Sequence, residues 1–119
     1  MNQSPNVLAS RATAPREGIC LFERTAIAGT RHIDNIEEIA SRFDASTRFC
    51  LERDRGNLFD EWAVGVFDDQ RNRIGYVSCD CNEVVSRLID GGKRVSARFT
   101  GVRQIGRWTR IEMGVYLND

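Results

Sequence analysis

Arg94-Val95-Ser96-Ala97-Arg98-Phe99 and Arg110-Ile111-Glu112-Met113-Gly114-Val115-Tyr116-Leu117 decide the architecture. In the first stretch Val95, Ala97 and Phe99 alternate with Arg94, Ser96 and Arg98. In the second, Ile111, Met113, Val115 and Leu117 alternate with Arg110, Glu112, Gly114 and Tyr116. A period of two places one set on each face of a strand, so both stretches predict half-buried strands. Slipping either by one residue would bury its arginines, which fixes the register. Residues Gly101 to Gly106 are expected to connect the two.

Working back along the chain, Val84, Val85, Leu88 and Ile89 carry helical spacing. Asp80 or Asn82 can cap that helix, and Gly91-Gly92 stops it through a left-handed cap. Arg73 to Ser78 and Trp62 to Phe67 read as strands joined by the polar turn Asp68 to Asn72. Trp62 to Phe67 is apolar on both parities, as in a strand covered on both faces. Thr47 to Arg53 alternates. Ile33, Ile36, Ile39 and Ala40 suggest a short helix over Ile33 to Phe43, capped by Asp34 or Asn35. Ile19 to Ile27 is a first strand. The order β, α, three β, α, two β predicts a mainly β (α+β) fold: a small six-stranded barrel of the OB or SH3-like kind with two short helices. Residues 1–16 read as a flexible tail and 17–119 as the barrel domain. The expected core is Phe49, Leu51, Val64, Val66, Val77, Leu88, Val95, Phe99, Ile111 and Val115, each stabilising by roughly 1.5–3 kcal/mol. Gly29, Gly56 and Gly75 are candidates for backbone angles or close approaches that a side chain would block.

The chain has 119 residues, 41% of them apolar, which suits one domain with a real core. Seventeen basic residues balance seventeen acidic ones, so net charge identifies no partner. Their distribution is more informative. Thirteen acids face seven bases between Asp34 and Asp90, whereas Gly92 to Ile111 holds six bases (Lys93, Arg94, Arg98, Arg103, Arg107, Arg110) and no acid. One basic surface suits nucleic acid, and arginine suits phosphate forks; a strand pair also needs solvated residues. Nothing resembles a secretory signal or a membrane span, so a cytoplasmic location without membrane association is expected. In that compartment Cys20, Cys50, Cys79 and Cys81 read as reduced thiols.

No catalytic group and no cofactor are expected. A zinc site normally needs two well-spaced ligand pairs, and Cys79-x-Cys81 with distant Cys20, Cys50 and His32 does not supply them. Asp60-Glu61 and Asp68-Asp69 are chain neighbours pointing different ways, and Ala28-Gly29-Thr30 lacks the lysine and further glycines of a phosphate loop. Asn57-Leu58-Phe59-Asp60 is more specific. Asn57 and Asp60 can bond their own backbone and shape the loop. Asp60 otherwise offers acceptors to a sugar hydroxyl. Phe59 either offers its face to a base or packs in the core. Tyr76 is open to the same two readings.

Gly29-Thr30-Arg31 after a strand, Leu51-Glu52-Arg53, Asn57-Leu58-Phe59-Asp60 with Ala63-Val64, Ile74-Gly75-Tyr76-Val77, and Asn82 opening a helix together resemble the HIRAN domain family, over roughly Leu21 to Leu117. The resemblance implies a six-stranded OB-related barrel with two helices. It also implies capture of a single-stranded DNA 3′ end, as in members fused to SNF2-type helicases. Arg31 matches the family's arginine, Phe59 its loop aromatic, and Asp60 the carboxylate that contacts the 3′-hydroxyl. Tyr76 matches a position that carries a DNA-contacting ring in some members. His32 and Ile33 fall where the family has two stacking aromatics, which departs from its pattern.

The expected function is therefore a non-catalytic nucleic-acid-binding module in DNA repair or fork processing. Its site would comprise Arg31, His32, Asn57, Phe59, Asp60, Tyr76, Arg94 and Arg98. Expected partners are single-stranded DNA and a helicase or nuclease acting in trans, with the chain a monomer or homodimer. The alternative is a protein-interaction or self-association module, which open strand edges would favour.

Overall fold

The computed structural model describes residues 18–118. The expected tail, residues 1–16, lies outside them. Six strands and two helices run in the order β1 (Ile19–Ala28), α1 (Ile36–Ala40), β2 (Arg48–Arg53), β3 (Val64–Phe67), β4 (Arg73–Val77), α2 (Asn82–Asp90), β5 (Val95–Ile105) and β6 (Trp108–Leu117). The strands form a closed barrel in the order β1-β4-β3-β2-β5-β6, each neighbouring pair antiparallel. The expected fold class is thus found.

Closure depends on β1. Its residues from Ile19 to Ala26 pair with β6, and its last two, Ile27 and Ala28, cross to β4 opposite Val77 and Tyr76. The seam is narrow, and Gly75 makes it possible. A Cβ on residue 75 would press on the Ala28 carbonyl oxygen and lie 2.6 Å from Ile27 Cγ2. Gly29, just beyond the seam, has φ 77, the left-handed geometry that glycine adopts without penalty. Gly56 meets neither condition: nothing lies within 4 Å of its notional Cβ and its φ is ordinary.

The core fills the barrel from all six strands. Ile27, Val64, Val66, Ile74, Val85, Ile111, Met113 and Val115 are fully buried. Of the expected core, Phe49, Val64, Val66, Val77, Ile111 and Val115 are buried, while Leu51, Leu88, Val95 and Phe99 are half-buried. Val85 carries the buried stripe of α2, and Val84 faces solvent. Ser86 of the same helix donates to the Trp62 carbonyl at 2.6 Å, so α2 covers the outer side of the chain entering β3. That explains the apolar character of this strand on both parities.

Three local expectations are corrected. The helix expected over Ile33 to Phe43 is a 3₁₀ turn (Thr30–His32) followed by five-residue α1; Asn35 precedes α1 in left-handed geometry and makes no side-chain cap. A five-residue helix is too short to persist alone, so burial of Ile36, Ile39 and Ala40 holds it. Cys81, not Asp80 or Asn82, occupies the N-cap of α2, again without a side-chain cap bond. Gly101 to Gly106 is not a loop. β5 continues to Ile105 and pairs with Trp108, leaving Gly106-Arg107 as a two-residue turn with Gly106 at φ 59. The left-handed stop of α2 is present: Gly92 has φ 87, and Lys93 N–H donates to the Leu88 carbonyl at 2.9 Å.

Gly75→Ala is expected to lower stability by about 1–3 kcal/mol through overpacking at the seam, while Gly56→Ala causes no loss. Denaturant unfolding of the two variants measures the contrast.

Candidate nucleic-acid interface

Beyond the seam the chain turns at Gly29. Thr30 is buried there, and its hydroxyl donates to the Thr109 carbonyl of β6 at 2.8 Å. This bond pins the 3₁₀ turn across the barrel end and leaves Arg31 and His32 on the outside, both exposed. They line a groove of about 800 Å³ with Arg24 of β1, Trp108 and Arg110 of β6, and Ser78 and Asp80 of the turn before α2. The Arg110 guanidinium lies over the Trp108 ring, 5.3 Å from its centroid, within cation–π reach. Ile33 instead packs against the core.

The loop between β2 and β3 is held by its own polar side chains. Asn57 Oδ1 accepts from the amides of Phe59 (2.8 Å) and Asp60 (3.0 Å), and its Nδ2 donates to Asp54 at 3.2 Å. The same Asp54 oxygen accepts from the Tyr76 hydroxyl at 3.0 Å, which in turn accepts from Arg73 at 2.8 Å. Burial, with help from Asp54, raises the Tyr76 pKa and keeps the phenol a donor. Asp60 accepts from the Trp62 amide (2.9 Å) on one oxygen and from Asn82 Nδ2 (2.7 Å) on the other. Arg53, its side chain only 9% exposed, donates to the carbonyls of Ala63 (2.8 Å) and Glu61 (3.0 Å) and to Asp90 (3.0 Å). Two apolar side chains crown this frame: Leu58 is 93% and Phe59 97% exposed. The Phe59 ring is therefore outside, not in the core. A carboxylate has about four acceptor sites, so each Asp60 oxygen keeps capacity for a further donor.

A third group occupies the outer face of the β1-β6-β5 wall. Glu112, 8% exposed, faces Arg110 at 2.8 Å and Arg24 and Arg103 at 3.8 Å each. The hydrogen bond from Arg110, then the charges of Arg110, Arg103 and Arg24, hold its carboxyl below the usual glutamate value against the opposing effect of burial. The ladder shift between Phe99 and Gly101 inserts one extra residue in β5. Gly101 then pairs with Glu112 and Arg103 with Arg110, whereas Arg98 pairs with Gly114. The bulge resets the alternation, so even-numbered Arg98 and odd-numbered Arg103 share one face.

The structure gathers only part of the expected site. Arg31 and His32 stand together in the groove. Phe59 and Asp60 sit on the neighbouring loop, joined to the groove through Asn82, whose amide N–H donates to the Ser78 carbonyl at 3.0 Å. Asn57 shapes the loop from within. Tyr76 supports it from below through Asp54, and its ring lies on the β3-β4 side, in a cleft with Arg73 and Phe67. Arg98 lies further along the wall, its guanidinium 5.3 Å from the Tyr116 ring centroid, and Arg94 precedes β5. Arg24, Trp108 and Arg110 were not expected in the groove. Trp108 keeps step with Arg110 and Glu112 in the alternation of β6, a signal hidden by reading the preceding residues as a loop. Among the described residues no three His, Cys, Asp or Glu side chains are grouped to hold a metal ion, and no helix is long and apolar enough to cross a membrane.

Asn57→Ala, which strands two loop amides, is expected to cost about 1–2 kcal/mol. Phe59→Ala is expected to change stability by less than about 0.5 kcal/mol, because its ring packs against nothing. Thermal unfolding compares the two. The lowered pKa of Glu112 stabilises the fold above the ordinary glutamate value, and that contribution fades as pH falls through the folded value. Below pH 4.5 wild-type protein is expected to lose stability more steeply than Glu112→Gln, read from unfolding midpoints across pH.

A model of the HIRAN domain matches residues 22–118. Among solved structures, a protein from Lactobacillus plantarum superposes with a TM-score of 0.72 at 23% identity, over 83% of this chain and 93% of that one. The HIRAN domain of human HLTF superposes with a TM-score of 0.62 at 14% identity, over 87% of this chain and 82% of that one. At such identities these likenesses speak to the fold. No curated protein matches the chain. The family match spans nearly every described residue of a barrel whose seam, groove and loop are now in place, and the chain belongs to the HIRAN domain family.

Proposed function

We propose that this protein binds single-stranded DNA and grips its 3′ end between the Asn57–Asp60 loop and the Arg31 groove. HIRAN domains are in general DNA-binding modules, and the observation that carries the finer reading is the Phe59 ring. An apolar ring held 97% in solvent, on a loop whose polar groups are tied internally, gains nothing for the fold. Stacked on a base, it would contribute roughly 1–3 kcal/mol. Asp60 would receive the terminal hydroxyl on its remaining acceptor sites. Arg31 would meet the adjacent phosphate, and Trp108 would supply the stacking surface that Ile33 does not offer. The biological setting we assign is repair or fork processing, with a helicase or nuclease acting in trans on the captured strand.

One observation favours a second reading. Barrel closure removes most open edges, yet β5 is in register with β2 at Ala97 and Arg98, with one further bond from the Phe99 amide to the Thr47 carbonyl. Among the described residues the stretch from Thr100 to Ile105 therefore pairs with no strand on that side, and Val102 and Ile105 are exposed. Such an edge can pair with another chain. A stable dimer in light scattering that is lost when Val102 is changed to lysine would support that role.

Fluorescence anisotropy with labelled strands bearing free or blocked 3′ ends tests the main reading. At low salt the free end is expected to bind more tightly. Asp60→Ala should weaken end binding more than binding to internal segments, and Phe59→Ala should reduce affinity by about 5- to 150-fold, the equivalent of one lost stack. Equally weak binding of both ends by wild-type protein would overturn the proposal.

A further inference from the structure

The Glu112 cluster extends from the groove onto the outer wall of the barrel through Arg103. Arg103 and Arg110 are directly opposite on neighbouring antiparallel strands, an arrangement that repels. The repulsion is offset by a largely buried carboxylate that also faces Arg24, 3.8 Å away. Three guanidinium groups around one carboxylate leave an excess of two positive charges on the wall. Arg110 is the anchor, with the short bond to Glu112 and its side chain 28% exposed. Arg24 and Arg103 are 70% and 66% exposed, so their donors are open to a second anion. Small residues flank the acid on both sides: Ala26 on β1 and Gly101 on β5 pair with it. Neither strand neighbour of the acid therefore adds a bulky side chain to the cluster. The wall adjoins the groove directly, because Arg24 and Arg110 line both.

We propose that Arg24 and Arg103, oriented by Glu112 and Arg110, form a phosphate track that takes internal phosphodiesters of a strand whose end lies at the groove. The inference rests on the nucleic-acid reading above and extends it from the terminus to the strand behind it. The two arginines meet successive phosphates as planar donor forks. Glu112 is a positioning residue here. It touches no phosphate, and it keeps the guanidinium groups from splaying away from the wall.

The test compares wild-type protein with Arg103→Ala, whose arginine does not line the groove, on free-ended single strands of about 4 and about 16 nucleotides, the span of site sizes for related barrels. Arg103→Ala is expected to bind the short strand as wild type does and the long strand more weakly. Its dependence of affinity on salt for the long strand should fall by about 0.7 in log–log slope, the value of one lost phosphate contact. Unchanged affinity and slope for the long strand, with wild-type binding intact, would overturn the track and leave end capture standing. An equal loss on both strands would also overturn it, since Arg103 would then belong to the end site. Failure of wild-type protein to bind either strand would overturn the nucleic-acid reading and the track together. Circular dichroism of Arg103→Ala checks that the exposed position tolerates alanine.

Discussion

The main chains of β4 and β1 meet at Gly75 with no room for a side chain, and the barrel closes only because they do. Two residue pairs, Ile27 with Val77 and Ala28 with Tyr76, form the entire registered seam. The seam sets where the groove and the loop lie. It brings the Gly29 turn against the Ser78–Asp80 turn, which creates the groove. It also aims Tyr76 outward, where its hydroxyl reaches Asp54 and steadies the loop. Wider spacing at residue 75 would separate the groove from the loop and leave each without its neighbour.

Rigidity is distributed unevenly around this site. The loop holds its shape through side-chain acceptors that take up its amides, so its form owes little to packing. Each such bond contributes roughly 1 kcal/mol, and together they spare a partner much of the cost of ordering the loop. The Arg24, Arg103 and Arg110 wall follows another logic, in which one buried acid fixes the direction of cations that remain wet. Leu58 and Phe59 lie at the other extreme. They are displayed by the loop and contribute nothing to holding it.

Much of the fold was legible because alternation reports burial. Ile111, Met113 and Val115 declared the inner face of β6, and Gly91-Gly92 declared the end of α2. Phase was harder to read. The extra residue after Phe99 breaks the period of two, so a strand that runs to Ile105 looked like a loop from Gly101 onward, and Trp108 was lost with it. The short α1 was overextended because Ile33 fits a helical stripe yet packs onto the core from extended backbone. Within the site, chemistry alone left Phe59 between core and surface. Only the loop's hydrogen bonds decide that, and they depend on Asp54, Tyr76 and Asn82 arriving from three separate parts of the chain.

Asp90 ends α2 at the pole where carbonyl dipoles repel negative charge. Arg53 at the end of β2 and Arg55 in the loop reach across to bond it, at 3.0 and 2.7 Å. A locally unfavourable acid has thus become a tether. The helix terminus and the loop base are one cooperative unit, and neither can fray without releasing an unbalanced charge in the other. Whatever seats itself on the loop therefore also bears on a helix it never touches.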